Sequence, residues 1–247
     1  LLQTRAWIGG ALALLKDIIE ISRKPLPDQE KFVESWIDYL RDQPGSEADA
    51  WLREAVRLSR GAAGLEELAR TGGTKRPRAY LDWFTALEAE GKHQEVLAAA
   101  QEALEKLRDK LPIRAAIADH LCAAAAHLKD VDAVRVGRWQ AFLAKPTLAR
   151  LLDVWEAAPD EKERVNLMSQ AALHLQSYLA HPPGERTAME FGWREDDLEQ
   201  TAQVSKSELA HTHLLAGEWD AAHQMAEHEK TLGWSSSDNT QGLVLSF

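Results

Sequence analysis

Six of the nine histidines lie in the second half of the chain: His174, His181, His211, His213, His223 and His228. Imidazole is the commonest metal ligand and general base among side chains, so their spacing is the first thing to read. His223 and Glu227 stand four apart, which puts both on one helix face within reach of a shared divalent ion. His211 and His213 stand two apart, so a helix points them in different directions. "HEKTL" at 228–232 has the first His and the Glu of a zinc-protease helix but not the second His. No third ligand falls at a spacing that closes a site. The expectation is therefore no metal and no cofactor, with these histidines as surface or half-buried side chains.

Three other stretches carry chemical groups. "TGGTKRPR" at 71–78 gathers Gly72, Gly73, Lys75, Arg76 and Arg78, and backbone amides beside cations can hold a phosphate. Its spacing is not that of a P-loop, and no strand precedes it. A solvated loop is the plainer reading. The acidic pairs Asp196–Asp197 and Glu161–Glu163 can do acid–base work, but beside a helix start they complement the macrodipole. The serines of "GWSSSDN" lack the elbow that makes a serine nucleophilic, and Ser237 or Asp238 there suits a helix cap. The residues with chemistry thus point away from catalysis, and attention passes to the elements that carry them.

The chain has 247 residues and a formal net charge of −10. The excess is uneven, because residues 151–247 hold 17 acidic and 6 basic side chains. An acidic third repels nucleic acid and anionic lipid. The single cysteine, Cys122, excludes an internal disulfide; within an Ala run it reads as a small buried thiol. "AWIGGALALL" at 6–15 is too short to span a bilayer, and the spacing of Ile8, Leu12, Leu15 and Ile19 predicts a helix. No membrane partner is expected, and the chain reads as cytoplasmic. A first residue of Leu rather than Met is expected of a fragment of a longer chain.

Strand signals are nearly absent and helical periods run almost throughout. The prolines of "SRKPLPDQE" end a first helix, and Asp28 suits the cap of the next. That helix carries Phe32, Trp36 and Tyr39 or Leu40 on one face. After a loop at 41–50, short helices are predicted at 51–59 and 64–70, and "TGGTKRP" is the best domain boundary. Further helices are predicted at 78–90, 93–108, 113–128 and 132–144. Beyond these come 147–157, 161–180, 195–216 and 219–231. "GLVLSF" at the end suits a short strand or the start of a helix. The result is all-α, with about ten helices and short connections. Nine tryptophans are many for this length. Trp36, Trp83, Trp139 and Trp155 fall on apolar helix faces as packing wedges, and Trp234 is expected to be partly exposed.

One turn is written twice. "LEAEGKHQEVLAAAQEA" (87–103) and "LLAGEWDAAHQMA" (214–226) each place a Gly between two helices. Tyr80, Trp83 and Leu87 precede Gly91, and Ala100 and Ala103 follow it. Leu209 and His213 precede Gly217, and Ala222 and Ala226 follow it. This arrangement resembles the tetratricopeptide repeat in a degenerate form, with Phe84 where that family has Gly and Val96 where it has Ala. The residues 113–145, with Asp130 in the turn and Pro146 after, resemble another such pair. The resemblance implies an irregular right-handed α-solenoid of stacked antiparallel helix pairs over residues 71–247, with residues 1–70 as an N-terminal helical cap. It also implies a concave groove for a peptide or partner helix, lined by Arg78, Asp82, Thr85 and Glu88. Arg114 and Asp119 would line it in the next pair, and Ser207 and His211 in the last. The expected partner is a protein, and the expected function is a non-catalytic scaffold.

Longer stretches, "YLDWFTALEAEGKHQEVLAAAQEALEKL", "IRAAIADHL", "RWQAFLAKPTLARLLDVWEAAP" and "GWSSSDN", are similar to the helical region of uncharacterised bacterial proteins, some carrying a SWIM zinc finger. That finger uses Cys-x-Cys and Cys-x-His, which one cysteine cannot supply, so zinc and nucleic-acid binding are not implied. Two other readings follow. One is a metal-dependent all-α enzyme using the His-rich, acidic C-terminal half. The other is a supporting region of a larger multidomain bacterial protein.

Overall fold

The computed structural model describes residues 27–109, 111–181 and 204–226, together with Leu15, Lys16 and Ile19. Ten α-helices run through the described residues. They are α1 (Gln29–Arg41), α2 (Ser46–Gly72), α3 (Arg78–Ala89), α4 (His93–Lys106) and α5 (Ile113–Leu128). Then come α6 (Val131–Ala144), α7 (Leu148–Ala157), α8 (Glu161–Ala180), α9 (Lys206–Leu215) and α10 (Trp219–Ala226). A 3-10 turn, Gly73–Lys75, joins α2 to α3. None of the described helices is long and apolar enough to cross a membrane. "GLVLSF", Trp234, Asp196–Asp197 and His228 lie outside the described residues.

Two compact units divide between Gly91 and Lys92. The first contains α1 to α3, so α3 goes with the helices before it rather than with those after "TGGTKRP". The reason is packing: α3 buries Ala79, Tyr80, Trp83, Phe84 and Leu87, and it lies along α2. The stretch read as two short helices is one element of 27 residues. Its backbone breaks at Gly61 (φ 60, ψ −147), a conformation that only glycine adopts without strain. The break falls where the sequence places it, but the chain resumes its helix without a loop. Helix α1 buries Val33, Ile37 and Leu40 at i, i+4 and i+7. Asp28 stands at its N-cap position, yet its side chain makes no capping bond and lies 3.6 Å from Lys31 instead. The buried Glu54 accepts the N–H groups of Leu15 and Lys16 at 3.0 and 3.1 Å.

In the second unit each described helix packs on the next, α4 on α5, α5 on α6, α6 on α7, α7 on α8, then α8 on α9 and α9 on α10, and α7 also meets α9. Side-chain caps start several of them. Asp130 accepts from Ala133 N at 3.0 Å and Asp160 from Glu163 N at 2.8 Å, and Ser205 with Glu208 forms a capping box. Glu161 and Glu163 lie in the first turn of α8, where the macrodipole favours them. The α5–α6 contact is built from small residues. Gly137 on α6 lies so close to α5 that a Cβ there would sit 2.5 Å from Cys122 Sγ. Further along, Phe142, Leu151, Met168, Leu175, Leu209 and Leu215 form one core cluster. Each such side chain contributes about 1.5–3 kcal/mol when fully buried.

The repeated turn is real at the level of the backbone. Three residues separate α3 from α4 and α9 from α10, and the middle one is a left-handed glycine in both, Gly91 (φ 71) and Gly217 (φ 75). Gly91 N–H bonds to Glu88 O at 2.9 Å and Gly217 N–H to Leu214 O at 3.0 Å. The α5–α6 bend reaches a similar geometry with Lys129 (φ 60) in the left-handed position.

Candidate functional site

The residues expected on a groove are placed on three helices, and the structure uses several of them internally. On α3, Asp82 pairs with Arg53 of α2. Arg53 also donates to Asp49 at 2.9 Å, and the second oxygen of Asp49 lies 3.5 Å from Arg76. Arg76 in turn donates to the carbonyl of Arg41 at 2.8 Å. Two carboxylates and two guanidiniums therefore tie together the end of α1, the body of α2, the turn and α3. The "TGGTKRPR" stretch is part of this tie: Gly72 closes α2 and Arg76 is engaged from within. Arg78 and Glu88 are half-buried. Thr85 is exposed, with its hydroxyl donating to Leu81 O at 2.9 Å.

Arg114 is not on a surface. It is 5% exposed, and its guanidinium turns back from the first turn of α5 onto the end of α4. It donates to Leu104 O at 2.5 Å, Leu107 O at 2.7 Å and Gln140 Oε1 at 3.2 Å. Burial pushes its pKa down, and the Asp109 carboxylate at 3.5 Å acts the other way. Asp119, one and a half turns further along α5, is exposed. Both of its oxygens accept from Arg150 of α7, each at 2.7 Å. This is the bidentate geometry that makes Arg–carboxylate pairs specific.

Helix α9 holds three consecutive buried polar residues, His211, Thr212 and His213. With Leu209 and Ala210 before them also buried, five successive positions go round the whole helix, so α9 is enclosed on most sides. His211, expected on the groove, is 2% exposed; its Nδ1 lies 2.7 Å from Ser207 O and its buried Nε2 has no partner. Ser207 itself is half-buried beside it. His213 points elsewhere, as the two-residue spacing requires, with Nδ1 2.6 Å from Glu218 Oε2. Glu218 Oε1 lies 3.4 Å from Ser169 Oγ. In this chain of contacts the carboxylate sits between the serine and the histidine. A hydrolytic triad needs the imidazole in that place, so the order does not activate Ser169. Because Glu218 N–H also bonds to His213 O at 2.8 Å, the pair closes the Gly217 turn. His223 is exposed near the end of α10, and Glu227 lies outside the described residues. Among the described residues no three His, Cys, Asp or Glu side chains converge to hold a metal ion.

His174 on α8 is half-buried against Phe142 and Tyr178, with an unpartnered Nε2. Burial lowers its pKa below 6.5, and a backbone hydrogen bond with Leu143 offsets part of this. The folded state therefore resists a proton that the unfolded chain accepts. Stability falls as pH drops through the unfolded value near 6.5, and levels off below the folded pKa. His174→Phe should remove this component. Urea midpoints of the two proteins should converge in the variant's favour between pH 7.5 and about pH 5.5. A constant difference across that range would dismiss the assignment.

Cys122, read from the sequence as a buried thiol, is half-buried. Burial, with a smaller effect from Asp119, pushes its thiol up to about 11, so it packs as a small apolar group.

One feature of α1 departs from the sequence reading. Phe32, Trp36 and Tyr39 do not form the core face, which belongs to Val33, Ile37 and Leu40. They stand beside it as a ladder of rings. Phe32 and Trp36 stack at 6.3 Å and 10°, and Trp36 and Tyr39 at 5.4 Å and 16°. Trp51 of α2 touches Trp36 at 6.1 Å. Phe32 remains 43% exposed and Tyr39 46%. The signal was present: two parallel stripes at the same spacing, one more than a helix on the edge of a unit can bury.

The described residues form helices joined by short turns, with internal Arg–carboxylate networks and an exposed aromatic face on α1. No protein-family model, curated protein or solved structure matches the chain.

Proposed function

We propose that the chain is a non-catalytic interaction scaffold of the cytoplasm that presents helical surfaces to a peptide or partner helix. In this reading the helix pairs form an irregular, right-handed solenoid of tetratricopeptide type. The observation that carries it is the chain-order packing of the helices in the second unit, the arrangement by which solenoids grow. The left-handed glycine turn at Gly217, between two helices that pack on each other, supports it. Of the expected groove residues on α3, Thr85 is exposed and Arg78 and Glu88 are half-buried, so these are the ones to test; Arg114 and His211 are buried. The acidic surface favours a protein partner over nucleic acid.

The test is affinity capture with the full chain and with a Thr85→Arg/Glu88→Lys variant, each first shown to melt like the other. The variant should lose the proteins that the parent retains. Identical retention by both would remove the groove on α3 as the binding surface.

A further inference from the structure

We infer that the aromatic face of α1 docks a partner helix whose apolar stripe is bracketed at both ends by Arg or Lys. The inference rests on the scaffold reading but moves the binding surface to another face and names the partner's chemistry.

Phe32, Trp36 and Tyr39 form a row of near-parallel rings, of which Phe32 and Tyr39 are the exposed ones. What remains open is a strip of apolar ring surface with Phe32 and Tyr39 at its two ends. Asp28 lies four residues before Phe32, and Asp42 three residues after Tyr39. Both flank the helix that carries the ladder, Asp28 at its N-cap and Asp42 at its C-cap, and both are exposed. Each end of the helix thus combines an exposed aromatic ring with a nearby negative charge, an environment that favours a guanidinium or ammonium. The protein uses a cation–ring contact internally, with Arg164 4.5 Å above Trp155. Asp28 has Lys31 at 3.6 Å, but both side chains are solvated, and such a pair exchanges readily. Asp28 and Asp42 are about 21 Å apart along the axis at 1.5 Å per residue. A partner helix of about four turns matches that length, with aliphatic side chains over the rings and a cation at each end.

Charge decides the occupant. Residues 28–42 carry five acidic and two basic side chains, and the whole chain is at −10. A second copy would set these carboxylates against each other, whereas a basic helix neutralises them.

The probe is a labelled synthetic helix of about five turns, with a Leu stripe bracketed by Arg, titrated with the full chain. A matched peptide with Glu in place of Arg is the control. Saturable binding of the Arg peptide is expected, weakened about tenfold or more by Tyr39→Ala, by Asp28→Lys/Asp42→Lys and by high salt. Thr85→Arg/Glu88→Lys should leave it unchanged. Should Tyr39→Ala not fold, the Asp28→Lys/Asp42→Lys pair decides alone. The inference is overturned if the Arg peptide does not bind, if the Glu peptide binds as well, or if the face variants bind undiminished. A dimer in sedimentation that Tyr39→Ala dissolves would overturn it in favour of a second copy. Loss of peptide only in Thr85→Arg/Glu88→Lys would overturn it while leaving the scaffold reading intact.

Discussion

Arg114→Leu is expected to cost the second unit about 3 kcal/mol, although it replaces a buried charge with a buried hydrocarbon. The reason lies at the end of α4. The last carbonyls of a helix have no partner within it. Those of Leu104 and Leu107 are answered by the Arg114 guanidinium, which brings a positive charge to the negative end of the α4 dipole. Leucine fills the space but leaves both carbonyls dry, at about 1–3 kcal/mol each, less whatever water can reach them. Arg114→Lys should recover only part of the loss, since one ammonium cannot span the two carbonyls and Gln140 as a planar fork does. Asp109→Ala is the control. Its side chain is almost wholly solvated, and its removal should change stability little. Chemical denaturation of the four proteins checks the order. If Arg114→Leu melted with the parent, the guanidinium would not be holding the α4–α5 corner.

The same residue shows where sequence reading stops. The period of the apolar residues located α3 to α8 to within a residue or two at their ends, because a buried stripe constrains every turn of a helix. The glycine turns were legible for a similar reason: a left-handed residue needs glycine, and the chain supplies it at Gly91 and Gly217. The direction in which a polar side chain points is not written that way. Arg114 was expected on a groove because its helix position suits one. The sign against this was electrostatic, since a cation in the first turn of a helix opposes that helix's dipole and must be answered elsewhere. His211 was misread for another reason. Periodicity reports one buried face, and α9 is enclosed on several. The α1 ladder failed in the opposite sense. Phe32, Trp36 and Tyr39 have the composition of a core face, but Val33, Ile37 and Leu40 already fill the available contact with α2.

Gly137 carries the second large effect, and here two tendencies oppose. Alanine is the better helix former by about 1 kcal/mol, so Gly137→Ala on an open helix would stabilise. On α6 the new Cβ would meet Cys122 Sγ at 2.5 Å, Leu121 Cδ2 at 2.9 Å and the backbone oxygen of Ala118 at 3.3 Å. The first two distances are well inside van der Waals contact, and the third involves backbone that cannot rotate away. Overpacking of this kind costs about 1–3 kcal/mol, so the net effect is a loss of about 0–2 kcal/mol for alanine and more for valine. Cys122→Ala removes the nearest atom. In that background Gly137→Ala should cost less, with a coupling of about 0.5–1.5 kcal/mol from a double-mutant cycle. Thiol labelling gives an independent readout. Burial holds Cys122 protonated with a pKa of about 11, so it should react slowly in the parent. In Gly137→Ala the displaced α6 should admit water and speed the reaction, while in a protein whose helices were not in contact the rate would be unchanged. A stabilising Gly137→Ala with unaltered thiol reactivity would mean that α5 and α6 do not approach through this glycine, and the small-residue contact would have to be abandoned.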